Sequence, residues 1–417
     1  MPTLIDVTSA SRSPESVIPH DRASERHVMN TPERSPQRAL IIGGSLGGLF
    51  TGNLLRRAGW DVDIYERSPH SLDSRGGGIV LQPEVVEVFR RTGVELQPLE
   101  LGVQSRSRTV FRPDGSIQSK HVVPQTQTSW SLIYSTMRAA FGEEHYHQGQ
   151  KLVGLSQTPD HRVKARFADG TQETADLLVG ADGSNSTVRH LRWSAEEPSY
   201  AGYLAWRGLV REDEMPAIAR EALSGDFSFS SNVQSHILGY LVPGDGNDTR
   251  PGHRLYNWVW YRVADNAQLH DIMTDADGRD RGFSIPEGKL ASHWREHLYR
   301  EADALLPAPL RAVVRATTQP FAQAIRDLAV DHMVDGRIIL LGDAASIPRP
   351  HTAASTSKAA SNALALLAAL QTFPDDPDLA LSRWQPEQLA LGRHLRDQGS
   401  RIGDHLLFQT SRPTTAR

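Results

Sequence analysis

The stretch Arg38-Ala-Leu-Ile-Ile-Gly43-Gly44-Ser45-Leu46-Gly47-Gly48 decides how the rest of the chain is read. Residues 39–42 are a short apolar run suited to a buried parallel strand. The glycines then turn the chain, and residues 49–57 have helical composition with Gly59 as their stop. A helix beginning there aims free N–H groups and the positive end of its dipole above the turn, where a pyrophosphate fits. Ser45 occupies the middle glycine position of G-x-G-x-x-G, so the pattern by itself is weak. The next strand, Asp61-Val-Asp-Ile-Tyr65, strengthens it by ending on Glu66. A carboxylate about 20 residues beyond the glycines is where a Rossmann unit holds a ribose hydroxyl pair. The order strand, turn, helix, strand, acid predicts a dinucleotide site.

Composition narrows the partners. The 417 residues are 39% hydrophobic and 23% charged, enough for a large core in two or three domains. With 45 basic and 49 acidic residues, a net charge of −4 and no basic block, nucleic acid is excluded as an expected partner. Cysteine is absent, which removes disulfides, thiolate nucleophiles and cysteinyl cofactor links and fits a cytoplasmic protein. The longest apolar run, residues 363–370, falls far short of the roughly 18 residues of a membrane span. Residues 1–37, rich in Ser, Pro, Arg and Glu, read as a disordered tail without a secretory apolar region.

Farther along, Arg75-Gly-Gly-Gly-Ile-Val80 reads as a loop entering a strand, and Pro83 opens a helix that Gly93 closes. Residues 109–121 read as a hairpin, 131–141 as a helix, and 145–156, 162–167 and 175–179 as strands. The last strand delivers a second turn of small residues, Gly180-Ala-Asp182-Gly-Ser-Asn-Ser-Thr-Val-Arg189. From Tyr200 the pattern changes to long aromatic strands at 203–210, 236–242 and 255–263, which predict an antiparallel sheet. Residues 265–274 and 290–314 read as helices. The first style then returns, with Arg337-Ile-Ile-Leu-Leu341 running into Gly342-Asp343-Ala-Ala345, followed by Pro348-Arg-Pro350-His351-Thr-Ala353-Ala354 and an alanine-rich helix to about 370. A last helix is expected over 386–408.

The three motifs in this order, Gly43 to Gly48 with Glu66, Gly180 to Arg189, and Gly342 to Ala345, resemble the single-component FAD-dependent aromatic hydroxylases, the p-hydroxybenzoate hydroxylase-like group. Tyr200-Ala-Gly-Tyr203-Leu-Ala-Trp-Arg207-Gly, Asn257-Trp-Val-Trp-Tyr-Arg262 and Arg349-Pro-His-Thr-Ala-Ala354 look most like its 2,6-dihydroxypyridine 3-hydroxylase branch. The resemblance covers roughly residues 39–406. It implies an α/β fold: a discontinuous Rossmann-like FAD-binding domain over 38–198 and 319–372, an antiparallel β-sheet substrate domain over 199–318, and a C-terminal helical segment over 373–417.

By the same resemblance, Gly43, Gly44, Ser45, Leu46 and Gly48 hold the FAD pyrophosphate, Glu66 and Arg67 the adenosine end, and Asp343 the ribityl chain. Asp182 and its loop support the cofactor. Pro350, Ala353 and Ala354 lie against the isoalloxazine, where N–H groups of the next helix meet negative charge. NADH or NADPH reduces the flavin and binds transiently, since there is one Rossmann fingerprint. Dioxygen then adds at flavin C4a, and the hydroperoxide hydroxylates a small aromatic or N-heteroaromatic ring that already bears a hydroxyl. The protein must deprotonate that hydroxyl and exclude water. His351 is the expected base, with Tyr203 and Arg207 as substrate contacts. Relatives suggest a homodimer.

This chain departs from the group at Ser45, at Ser355 where glycine is usual, and at Trp130 where many relatives carry arginine; these departures bear on FAD affinity. They also motivate a non-catalytic flavin-binding relative as an alternative. A flavin-dependent halogenase is the other, but its Gly-Trp-x-Trp-x-Ile-Pro signature is missing. Blander readings stand beside each site: Asp343 as a plain N-cap, Asp182 as a plain turn, and His351 as a brace for its loop. Trp206, Trp258 and Trp260 read as sheet core. His145 and His147 read as structural, without a third metal ligand.

Overall fold

The computed structural model describes residues 36–72, 77–94 and 101–409. The expected tail lies outside them except for its last two positions, as do Arg75 and Gly76 of the glycine loop and residues 410–417.

The apolar segments Arg38–Ile42, Leu177–Gly180 and Ile338–Leu340 are buried almost throughout, as strands covered on both faces must be. They sit side by side in a six-stranded sheet ordered Val334–Asp335, Ile338–Leu340, Leu177–Gly180, Arg38–Ile42, Asp61–Glu66, Tyr146–Gln148. All pairings are parallel except the short one between Val334–Asp335 and Ile338–Leu340. Three adjacent strands therefore end at the same edge and deliver the three motifs there. The chain order reverses between Arg38–Ile42 and Leu177–Gly180, the switch point at which open α/β sheets bind ligands.

Close backbone approach makes this edge. Gly43 has φ +107°, and a Cβ on it would lie 2.5 Å from the carbonyl oxygen of Ala181. Gly48, in the first turn of the helix Leu46–Arg57, would place a Cβ 1.9 Å from the Gly43 carbonyl oxygen. Neither backbone oxygen can withdraw without opening the turn.

The second sheet has ten strands, centred on Ser199–Arg211, Leu255–Val263 and Ser235–Val242. It is antiparallel except where Asp226–Asn232 pairs with Val103–Phe111 in parallel. It is not confined to residues 199–318: Gly78–Val80, Val103–Phe111, Ile117–Ser129 and Phe321–Ala329 all join it. Alternation along the strands sorts their side chains. Leu204, Trp206, Ile237, Leu241, Trp258 and Trp260 enter one core with the helices Ser292–Leu305 and Ala308–Ala316. Trp206 faces Trp260 across the ladder. The indole N–H groups of Trp258 and Trp260 donate to Thr317 Oγ1 and Ser235 Oγ, each at 2.8 Å. The tryptophans are sheet core, as read.

Several element boundaries differ from the sequence reading, each for a local reason. Residues 290–314 are two helices because Pro307 lacks an N–H and stands at the break, with Leu306 extended. Residues 145–156 split at Gly149, φ +76°, into Tyr146–Gln148 in the parallel sheet and Leu152–Gln157 in a separate three-stranded sheet. The last helix starts at Pro377 rather than 386, capped by Asp376 accepting from Leu379 N at 2.9 Å. It carries Pro386 inside because buried Ala380, Leu381 and Trp384 hold it by packing.

Replacing Gly48 with alanine is expected to destabilise the protein by about 3 kcal/mol, the upper end of overpacking costs. Urea denaturation of the cofactor-free protein measures it, and a stability within about 0.5 kcal/mol of wild type, the range of neutral surface changes, contradicts the geometry.

Candidate functional site

Two cavities lie along the edge where the motifs meet. The first, about 220 Å³, is lined by Gly43, Ser45, Glu66, Arg67 and Asp182 among others. The second, about 500 Å³, lies between the large sheet and the segment carrying Asp343, Pro350, Ala353 and Ala354. Trp130, Ser184 and Asn185 line both, so the cavities adjoin. An elongated ligand can run from one to the other.

At the first cavity, the N-cap Ser45 makes no side-chain cap bond, so its hydroxyl is unused by the helix it precedes. The first backbone bond of that helix runs from Leu49 N to Ser45 O at 2.9 Å, which leaves the N–H groups of Leu46, Gly47 and Gly48 without intrahelical acceptors. Glu66 is buried; it accepts from Gly44 N at 2.9 Å and Ser68 N at 2.8 Å. A carboxylate has about four acceptor sites, so a pair of ribose hydroxyls can still bond it. Arg67 is exposed at the rim.

Asp182 points into its own loop. It accepts from Ser186 Oγ at 2.5 Å, Thr187 N at 2.6 Å and Val188 N at 3.1 Å, capping the short helix Thr187–Arg192. Burial pushes its carboxyl upward, against the three bonds that favour the ionised form. Asp182 thus shapes the loop that lines both cavities. Arg189 reinforces that loop, donating to the carbonyls of Ser184 at 2.8 Å, Glu196 at 2.9 Å and Ala344 at 3.0 Å.

At the second cavity, Asp343 Oδ1 accepts from Ser355 Oγ at 2.6 Å and from the ammonium of Lys358 at 3.0 Å. Ala353 adopts φ +52° and closes the Pro350–Thr352 turn. The first backbone bond of the helix Ser355–Thr372 runs from Lys358 N to Ala354 O at 2.8 Å. The N–H groups of Ser355, Thr356 and Ser357 therefore have no intrahelical acceptor, a ready anion site beside the cavity.

Of the three expected catalytic residues, only Arg207 lines this cavity. Tyr203 is completely buried, and its hydroxyl shares a hydrogen bond of 2.8 Å with His351 Nε2. His351 packs against the Tyr261 ring at 4.5 Å and, on its other side, against Gly403 of the last helix. Burial, with His236 and Arg349 nearby, pushes His351 down to about 3. His351, expected as base, and Tyr203, expected as substrate contact, are not among the residues that line this cavity; they face each other instead. The reason is topological, since His351 belongs to the loop clamped by Arg349, which pairs with Asp327 at 2.7 Å and Asp404 at 2.8 Å.

Arg207 stands differently. It projects from the cavity face of the large sheet, with one long bond to Gln323 Oε1 at 3.3 Å and no carboxylate partner among the described residues. Its Nε is buried without a hydrogen bond. Tyr240 and Tyr261 share its face, and neither hydroxyl has a hydrogen-bond partner among the described residues. Burial pushes Tyr240 up to about 12, opposed by the charge of Arg207.

The residues present suit FAD: glycines that admit no side chain at the turn, an unused hydroxyl and three free N–H groups at a helix start, a buried carboxylate about 20 residues on, and a path from there to a second free helix start. A family model described as "FAD binding domain" matches residues 37–237, and one described as "FAD binding domain-like" matches residues 200–327. The 2,6-dihydroxypyridine 3-monooxygenase of Paenarthrobacter nicotinovorans is 35% identical over 386 residues, covering 91% of this chain and 95% of that protein. The chain belongs to the FAD-dependent aromatic hydroxylases. A solved structure of 2,6-dihydroxypyridine-3-hydroxylase from Arthrobacter nicotinovorans matches with a TM-score of 0.85 at 33% identity, over 91% of this chain and 95% of that one. The 6-hydroxynicotinate 3-monooxygenase of Bordetella bronchiseptica is 27% identical, covering 79% of this chain and 81% of that protein. Klebsiella pneumoniae HpxO, solved with FAD and uric acid, shares the fold at a TM-score of 0.70 and 20% identity, over 89% of each chain. This hydroxylase is thus a flavin monooxygenase, with FAD as cofactor and NADH or NADPH as co-substrate. Among the described residues no helix is long and apolar enough to cross a membrane.

The departures acquire surroundings. Ser355 donates to Asp343, and Trp130 stacks on Tyr134 at 4.7 Å where the cavities adjoin. Sequence reasoning missed Lys358, Arg326, Tyr240 and Tyr261. Only Lys358 left a signal, as the one charged residue in the alanine-rich helix Ser355–Thr372. His145 and His147 both bond Asp63 Oδ1, at 3.1 and 2.9 Å, and Asp61, Asp63 and His145 group their ligand atoms within 4.8 Å. A third potential ligand therefore exists, but Arg38, 2.7 Å from Asp63, already supplies the positive charge.

His236, pushed down to about 4 by burial, joins His351 in a pH effect. Both folded values lie below that of the unfolded chain, so the unfolded state binds more protons and stability falls as pH drops below about 6.5. By pH 5 the loss is expected to reach at most about 2 kcal/mol per histidine. Denaturation of wild type and of His351→Gln between pH 7 and 5 checks this; equal slopes for the two proteins would refute the contribution of His351.

Proposed function

We propose that this flavin monooxygenase hydroxylates a planar N-heteroaromatic ring bearing an ionised hydroxyl group, with Arg207 as the anchor for that oxygen. The observation that carries the reading is Arg207 itself. It is an arginine on a cavity wall of mixed apolar and polar residues, with no carboxylate partner among the described residues, beside two tyrosine hydroxyls that likewise lack a hydrogen-bond partner among them. An unpaired guanidinium in such a place costs folding energy that an anionic ligand recovers. The 2,6-dihydroxypyridine and 6-hydroxynicotinate enzymes among the relatives are named for rings of this class.

Bound FAD supplies the oxygen-activating chemistry, with electrons from NADH or NADPH. The chain's own residues arrange the rest. Gly43, Gly44, Ser45, Leu46 and Gly48 receive the pyrophosphate, Glu66 and Arg67 the adenosine end, and Asp343 the ribityl hydroxyls. Pro350, Ala353 and Ala354 form the wall for the flavin ring, and the N–H groups of Ser355, Thr356 and Ser357 offset negative charge on it. Arg207 favours the ionised form of the ring hydroxyl, so the substrate binds already electron-rich and no histidine base is needed in the cavity. Tyr240 and Tyr261 donate to the ring's other polar atoms, while Ile79, Phe227, Leu238, Val259 and Ile325 exclude water. Dependence on a reduced nicotinamide makes the cytoplasm the compartment on this reading.

The test is a panel of hydroxypyridines, hydroxynicotinates and phenols supplied to the yellow holoenzyme, following NADH oxidation and oxygenated product. Substrate-stimulated oxidation with a hydroxylated heterocycle is expected; stimulation by phenols alone refutes the ring class. Arg207→Met should raise KM for the active substrate roughly 10–100-fold, the worth of a charge-assisted bond, with FAD affinity unchanged. An unaltered KM would remove Arg207 from substrate binding.

A further inference from the structure

Lys358 is among the most deeply buried charges in the described part of the molecule, and it does not line the substrate cavity. It is 2% exposed, and the rest of its helix carries no charge. Its ammonium meets two groups: Asp343 Oδ1 at 3.0 Å and the carbonyl oxygen of Ser346. Ser355 Oγ also donates to Oδ1, at 2.6 Å. Both internal donors thus engage one oxygen of Asp343 from behind. The other oxygen, Oδ2, has no hydrogen-bond partner among the described residues, on a side chain that is 37% exposed and lines the 500 Å³ cavity. Burying an ammonium costs several kcal/mol unless an anion compensates it, and methionine or leucine would fill the same volume without that penalty. A charge kept in such a place holds its partner in position. Burial pushes Lys358 down while Asp343 pulls it up, as a mutually dependent pair requires.

We propose that Lys358 is a positioning residue of the FAD site: by fixing Asp343 Oδ1 and the Ser346 carbonyl from beneath, it presents Oδ2 to the cofactor in an arranged geometry and balances the charge of Asp343 next to the flavin. Without Lys358, Asp343 loses its one hydrogen-bonded cation among the described residues, and only the more distant charge of Arg326 offsets it. FAD then binds to a looser site, and reduction, which adds negative charge to the flavin, becomes harder. The inference rests on Asp343 facing FAD, as proposed above.

The experiment uses apoprotein titrated with FAD, read by flavin fluorescence quenching, and the midpoint potential of the holoenzyme. Lys358→Met is expected to raise the FAD dissociation constant at least 10-fold and to shift the potential to a more negative value. Lys358→Gln, which keeps a donor but no charge, should recover part of the affinity while the potential stays negative. Ser355→Ala, which removes only the second donor to Oδ1, guards against loss of folding and should weaken FAD binding about 3-fold without moving the potential. Asp343→Ala separates the two readings. If it leaves FAD affinity unchanged, the placement of Asp343 at the cofactor fails and this inference with it. If Asp343→Ala weakens FAD but Lys358→Met binds it as tightly as wild type at an unchanged potential, only the role of Lys358 is overturned.

Discussion

The cofactor cleft depends on one close approach of backbone to backbone, between the turn at Gly43 and the turn at Ala181. Any side chain at Gly43 would sit 2.5 Å from the Ala181 carbonyl, so the two turns can adjoin only because that side chain is missing. Adjacent parallel strands bring them together: Ala181 N donates to Ile42 O at 2.8 Å, and Leu341 N to Gly180 O at 2.9 Å, so the third motif follows in step. Segments separated by more than a hundred residues thereby become one edge. A helix start on each side, at Leu46 and at Ser355, points unpaired N–H groups at it.

Buried charges then tie the elements around that edge. Arg189 spans the second and third motifs through three carbonyls. Arg349 joins the Phe321–Ala329 strand to the Pro377–Phe408 helix through Asp327 and Asp404. Lys358 braces Asp343. Each is a cation with its acceptors already in place, which is how a charge tolerates burial. Arg207 is the exception: among the described residues it has a single long bond to Gln323 and no carboxylate partner, and the proposed role as substrate anchor rests on that contrast.

His351 and Arg207 teach opposite lessons about reading chemistry from a chain. His351 has the right titration range in water and stands among motif residues, yet the loop turns its ring onto Tyr203, where burial keeps it neutral far below physiological pH. Arg207 is expected as a substrate contact, but pattern alone leaves open which face of its strand it takes. Strand alternation resolved it, since Trp206 and Gly208 face the helices and Arg207 faces the cavity. Tyr240 and Tyr261 were invisible beforehand because aromatic residues in strands look alike on either face.

The sequence by itself determined the parallel sheet, the first helix, the three motifs and the class of cofactor, because glycine turns, apolar runs and a carboxylate about 20 residues on are local patterns with local causes. It also placed the three tryptophans in the core. What only the tertiary structure decided was which face of each strand meets the cavity, where the long helix begins despite Pro386, and which charges are paired. Those outcomes depend on contacts between residues distant in the chain. Lys358 shows the difference most plainly: a lone lysine in an alanine-rich helix is visible in the sequence, but that it lies beneath Asp343 follows only from how the Ser355–Thr372 helix packs against the end of the Ile338–Leu340 strand.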